Sequence, residues 1–190
     1  MLKRFGCACF VSLLCSGIHA QTLDFNLSND TAEAAFAAPF ASTGFGRSSF
    51  GVSVLFSDKD ADNNWITGGG ITVAGEAGAD VPGLEFGVSV NGYIAEVAAY
   101  DLVAIPLGAQ VRYTPPQFSR FFGMLAMEYA PDIVTFNDGE KLAKSVVRVG
   151  YEILPDADVY VGYRNIRVGI KNRPDVGVDE GWYLGVNLRF

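Results

Sequence analysis

Asp58, Asp60 and Asp62 recur at alternate positions, the spacing with which a calcium-binding loop opens. Such a loop also needs a turn glycine and a closing bidentate glutamate. Asn63 and Gly69 stand in those places, so the triplet reads as an acidic hairpin loop and no metal site is expected. Glu85, Glu128 and Glu152 are a second candidate, because paired carboxylates can do acid–base work. They share the chain with Arg112, Arg148 and Arg189, and carboxylates matched by guanidinium groups read first as ion pairs lining an interior. Lys171 and Arg173 could meet phosphate groups, or could simply belong to a solvated loop.

The chemistry open to the chain depends on which residues stay in it. Lys3 and Arg4 precede a short apolar run at 10–14, and small residues lead up to Gln21, the layout of a secretory signal peptide cut after Ala20. Lipid attachment at Cys15 would need a small residue just before it, and Leu14 is not small. Residues 1–20 are thus expected to leave as a signal peptide and 21–190 to fold as one domain. With the signal go Cys7, Cys9, Cys15 and His19, which are all the cysteines and the single histidine. Disulfides, thiol nucleophiles, Ser/His/Asp arrangements and Cys or His metal sites go with them. The expectation is no enzyme and no cofactor. The 14 Lys and Arg fall to 12 against 21 Asp and Glu, a net charge of −9, which argues against a nucleic-acid partner.

The residues between the candidate sites alternate. Trp182, Leu184, Val186, Leu188 and Phe190 interleave with Tyr183, Gly185, Asn187 and Arg189. The same period of two runs through Leu23 to Leu27, Ala32 to Phe36, Phe50 to Phe56, Trp65 to Val73, Leu84 to Val90, Val103 to Tyr113, Phe121 to Tyr129, Ala143 to Ile153 and Val159 to Tyr163, with turn residues between. Near Arg164 the apolar set shifts to Ile166, Val168 and Ile170, which reads as a bulge. Ten strands result, with eight as the alternative count.

A soluble sandwich and a membrane barrel both alternate, and the charges and aromatics separate them. Asp24, Glu33, Glu76, Glu85, Arg112, Glu128, Lys144, Arg148, Glu152 and Arg189 all fall on the polar phase, as required where a base facing lipid costs about 2–4 kcal/mol. Threading the strands up and down collects Phe56, Trp65, Tyr129 and Trp182 at one rim and Phe86, Tyr113, Phe121, Tyr151 and Phe190 at the other. The fold expected is an all-β, antiparallel, up-and-down transmembrane β-barrel. Short turns such as 155–157 belong at the inner end and long loops such as 170–180 at the outer.

Gly185, Leu188 and Phe190 resemble the closing-strand signal that barrel-assembly machinery reads in bacterial outer-membrane proteins. The stretches 112–116, 129–132, 150–155 and 161–166, together with 27–31, resemble the YfaZ family of Gram-negative outer-membrane proteins. That resemblance implies residence in the outer membrane and passage past periplasmic chaperones and the assembly machinery. It implies no activity and carries no catalytic residues.

Glu85, Arg112, Glu128, Lys144, Arg148, Glu152 and Arg189 are then the candidate lumen lining. Ten strands enclose far less space than the 16 to 18 of an aqueous porin. The expected function is structural or that of a narrow, porin-like passage for small solutes. The alternative is a surface-interaction protein that meets lipopolysaccharide or an external partner through its outer loops.

Overall fold

The computed structural model describes residues 21–44, 46–58, 64–78, 80–98, 100–171 and 173–190. The expected signal peptide lies outside them, as do Asp60, Asp62 and Asn63 of the acidic loop; Asp58 is exposed. The strands are β1 (Thr22–Leu27), β2 (Thr31–Thr43), β3 (Gly46–Ser57), β4 (Asn64–Glu76), β5 (Leu84–Val97), β6 (Tyr100–Ala104), β7 (Leu107–Tyr113), β8 (Phe121–Ala130), β9 (Thr135–Asn137), β10 (Gly139–Leu154), β11 (Ala157–Ile170) and β12 (Val176–Arg189). Every pairing is antiparallel.

The twelve strands make a wall ten strands round. β6 and β7 continue one register against β5, from Val97↔Tyr100 to Leu84↔Tyr113, and are separated only at Ile105 and Pro106. Pro106 has no N–H to give the ladder, so the strand is interrupted there. β9 likewise continues β8 beyond a single 3-10 turn at Asp132–Val134. The β1–β12 and β4–β5 pairings close the cylinder and leave the wall no free edge.

Gln21 and Phe190 exchange backbone hydrogen bonds at one end, the terminal end; the opposite end is the far end. The expected contrast in loop length is absent. The loop expected at 170–180 shrinks to 171–175, because β11 runs to Ile170 and β12 starts at Val176. At the terminal end, the connections 77–83 and 114–120 are the longer ones. Residues at the far end go into strand because the wall itself projects there, with the sheet ladder satisfying backbone that a loop would leave to water.

The alternation sorts as an inverted protein. Phe25, Leu27, Val88, Val90, Leu125, Met127, Val147, Val149, Leu184 and Val186 point outward and are exposed, while Asn26, Glu33, Asp158 and Arg164 point inward and are buried. Between Trp182 and Phe190, the eight residue steps cover about 26 Å of strand, or roughly 20 Å across a membrane at the usual tilt, most of the ~25 Å apolar band of such a barrel. Aromatic pairs mark its limits: Tyr163 against Trp182 at 5.5 Å and Phe121 against Tyr151 at 4.8 Å.

Beyond the upper pair the polarity reverses. Asp158, Tyr160, Gly162, Arg164, Ile166, Val168 and Ile170 are all buried, so β11 keeps its even-numbered face inward along its whole length. The expected change of face at Arg164 does not occur. The apolar residues swap phase because the surroundings do: above the belt the outside is water, and Arg167 and Glu180 occupy it. The register shift between Ile166 and Arg167 instead places an extra residue in β12, which turns both Val178 and Asp179 inward.

Candidate lumen site

The interior is layered. At the far end Leu55, Ile66, Val97, Leu102, Leu142, Ile166, Val168, Ile170 and Val178 form an apolar plug. The sequence placed polar side chains on the inward face and contained no expectation of this plug. A void at its base, bordered by Glu33, Tyr93 and Lys144, measures about 10 Å³, room for roughly one water.

Below the plug lies a charge network centred on Arg164, whose side chain is 0% exposed. Its Nε donates to Asp179 Oδ2 at 2.5 Å, its Nη1 to Asn26 Oδ1 at 3.0 Å and to Glu33 Oε2, and its Nη2 to Thr31 Oγ1 at 3.0 Å. Four strands thus meet on one guanidinium: β11, β12, β2 and β1. Lys144 Nζ reaches the other oxygen of Glu33 at 3.5 Å. One layer lower, Arg148 donates to Asp24 Oδ2 at 3.2 Å and to the Tyr183 hydroxyl at 2.7 Å, and the Tyr160 hydroxyl donates to Asp24 Oδ1 at 2.5 Å. Three carboxylates, Asp24, Glu33 and Asp179, balance three bases, Lys144, Arg148 and Arg164. Among the described residues no buried side-chain nitrogen or oxygen lacks a partner. In a low-dielectric interior a fully satisfied network of this kind is stiff, because removing any member strands another.

Glycine makes the space for the tyrosine rings. Tyr160 lies across from Gly185, and Tyr183 from Gly162, and a Cβ at either glycine would fall onto the facing ring. Gly185, expected as part of an assembly signal, therefore has a packing duty in the finished barrel. Leu188 and Phe190 of the same signal are exposed on the outer face.

The lining residues pair only in part as the sequence suggested. Arg189 bonds Glu152 at 3.3 Å, as expected, and also Asp158 at 2.7 Å. Arg148 takes Asp24 as its carboxylate, while Glu128 accepts from the Tyr93 hydroxyl at 2.7 Å. Glu85 and Arg112 face each other across β5 and β7 without an ion pair, and Arg112 rests on the Phe122 ring at 4.0 Å. Sequence reasoning missed Arg164 and Asp179. Counting β11 straight through from Asp158 would have put Arg164 inside; nothing in the local pattern places Asp179, which depends on the bulge.

At the far rim Lys171 donates to the Asn137 carbonyl at 3.0 Å, Arg173 lies over the Tyr100 ring at 4.9 Å, and Lys141 pairs with Asp175 at 2.9 Å. Exposed acids surround them: Asp30, Asp58, Glu96, Asp101, Asp132, Asp138, Glu140 and Glu180. Among the described residues no group of three or more acids, cysteines or histidines is arranged to hold a metal.

No curated protein matches the sequence. Among solved structures, the fold is similar to that of the NanC porin, at 11% identity over 90% of this chain and 100% of that one, with a TM-score of 0.50. The KdgM porin solved with disordered oligogalacturonate aligns at 11% identity over 90% and 99% of the two chains, with a TM-score of 0.49. The family model described as YfaZ precursor matches residues 2–190. A closed ten-strand wall with its apolar face outward and its charges inside is thus an outer-membrane β-barrel, and the chain belongs to the YfaZ family.

Proposed function

We propose that this barrel serves the envelope as a structural element of porin-like build whose bore is shut at rest. The observation that carries the reading is the position of Arg164: wholly buried, bonded to four residues of three other strands, and capped by the apolar plug. A solute passing through would have to displace both layers. The reading is non-enzymatic, since Glu128 and Glu152, the carboxylates a histidine-free mechanism would draw on, are tied to Tyr93 and Arg189. Binding of lipopolysaccharide phosphates through outer loops has less support, because Lys141, Lys171 and Arg173 are each engaged and acids dominate that rim.

Purified, refolded protein in planar bilayers should be silent, and a Leu102→Ala, Leu142→Ala double variant that thins the plug should show brief steps. Steady conductance from the unaltered barrel would replace this reading with that of an open pore. One observation favours a narrow passage as the second reading. In the terminal half, the inward Ser89, Asn91, Gln110 and Arg112 keep partial contact with solvent, so water enters half of the bore.

A further inference from the structure

The inward bases differ in what neutralises them. Lys144, Arg148, Arg164 and Arg189 each have a carboxylate within 4.0 Å. Arg112 does not: among the described residues it has no hydrogen bond and no ion pair, only the Phe122 ring beneath it at 4.0 Å. Arg47, on the inward phase of β3 at the terminal mouth, has no carboxylate partner either and lies close enough to repel Arg112. Arg189 also repels it, and Asp158 attracts it, but those two already bond each other. Glu85, directly across the ladder, is unpaired among the described residues, and Glu76 faces it from β4.

A guanidinium held over an aromatic face by a cation–π contact spends no N–H donor on it, and its N–H fork matches the two oxygens of a carboxylate or phosphate. The site is half-buried, so a bound anion gains more there than at an open surface. It opens toward the terminal end, through the part of the bore that water reaches.

We propose that Arg112, stacked on Phe122 and assisted by Arg47, forms a binding site for a small oxyanion, a carboxylate or a phosphate, entering from the terminal mouth. Glu85, across the ladder and not paired with Arg112, is the like charge that an entering anion meets. The site is blind, because the Arg148 and Arg164 layers lie beyond it, so occupancy does not require conduction. Its fate is therefore independent of the bilayer result above.

Titration calorimetry on the full barrel in nanodiscs, with succinate and with inorganic phosphate as separate probes, tests the proposal. Either probe should bind with a dissociation constant on the order of 1 mM. Arg112→Gln should weaken binding about tenfold or more, the loss of a charge-assisted bidentate contact. Arg112→Lys, which keeps the charge without the fork, should fall in between. Glu85→Gln should tighten binding several-fold by removing that repulsion. Folding of each variant is checked by its shifted mobility on unheated gels. Absence of binding by both probes, or Arg112→Lys and Glu85→Gln variants that fold and bind like the parent, would overturn the assignment.

Discussion

The belted wall and the far-end cuff share long strands such as β10, β11 and β12, yet the kinds of residue on their two faces are exchanged. On β11 the lower stretch puts Val159 and Val161 outside and Asp158 and Arg164 inside, whereas the upper stretch puts Arg167 outside and Ile166, Val168 and Ile170 inside. Along β11 the inward face keeps its phase across the boundary; what changes is the medium around it. Below the Tyr163–Trp182 pair the outer surface meets hydrocarbon and the charges must find each other within. Above it the outer surface meets water, and the interior packs like that of a soluble protein. Arg164 stands at the junction and belongs to both regions, next to Ile166 on the inward face of β11 and with its charge answered by Glu33 and Asp179.

The largest expected effect comes from removing that junction. Arg164→Ala leaves Glu33 and Asp179 buried with one counter-charge fewer, and breaking a buried pair in this way costs about 3–5 kcal/mol. Urea unfolding in detergent or vesicles should show a loss of that size, with proteolysis at the far end rising before the belt is lost. A variant as stable as the parent would mean that the two regions are not coupled through this residue.

Much of the wall was legible because period two is the most direct imprint a sheet leaves on a sequence. Leu84 to Val90 and Trp182 to Phe190 are in place as read, and so are the ten strands and the outward aromatics. The far-end cuff was not legible on the same rule, because that rule assumed one medium along the whole strand. Ile166, Val168 and Ile170 therefore looked like a slip in phase instead of a change of surroundings. The ion pairs were legible only as a set of charges facing inward. Partner choice depends on the angle at which strands cross the bore, so Arg148 meets Asp24, some 124 residues away in sequence, instead of the nearer Glu128.

A second, smaller effect sharpens the boundary itself. Val149 faces outward within the belt, and Asn165 occupies an outward position on the neighbouring strand beyond it. Val149→Arg should cost about 2–4 kcal/mol at mid-belt, and Asn165→Arg between 0 and about 1 kcal/mol near the interface. Equal costs in reversible unfolding from vesicles would erase the difference between the two regions and leave the apolar plug without its explanation.

The smallest of the three effects asks what Gly185 is for. A methyl group there meets the Tyr160 ring, and forcing an extra carbon into a packed interior costs about 1–3 kcal/mol. If that crowding is the whole role of the glycine, Gly185→Ala should slow membrane assembly only as far as it destabilises the barrel. Combining it with Tyr160→Leu, which removes the ring and also the hydroxyl donated to Asp24, should then make the alanine nearly neutral relative to Tyr160→Leu alone. If Gly185 is instead read by the assembly machinery, the alanine should impair delivery to the membrane equally with or without the Tyr160 ring, while refolding of purified protein into detergent is affected only when the ring is present. Measuring assembly in cells beside refolding in vitro, across the four combinations, separates a residue required by the finished interior from one required on the way to it.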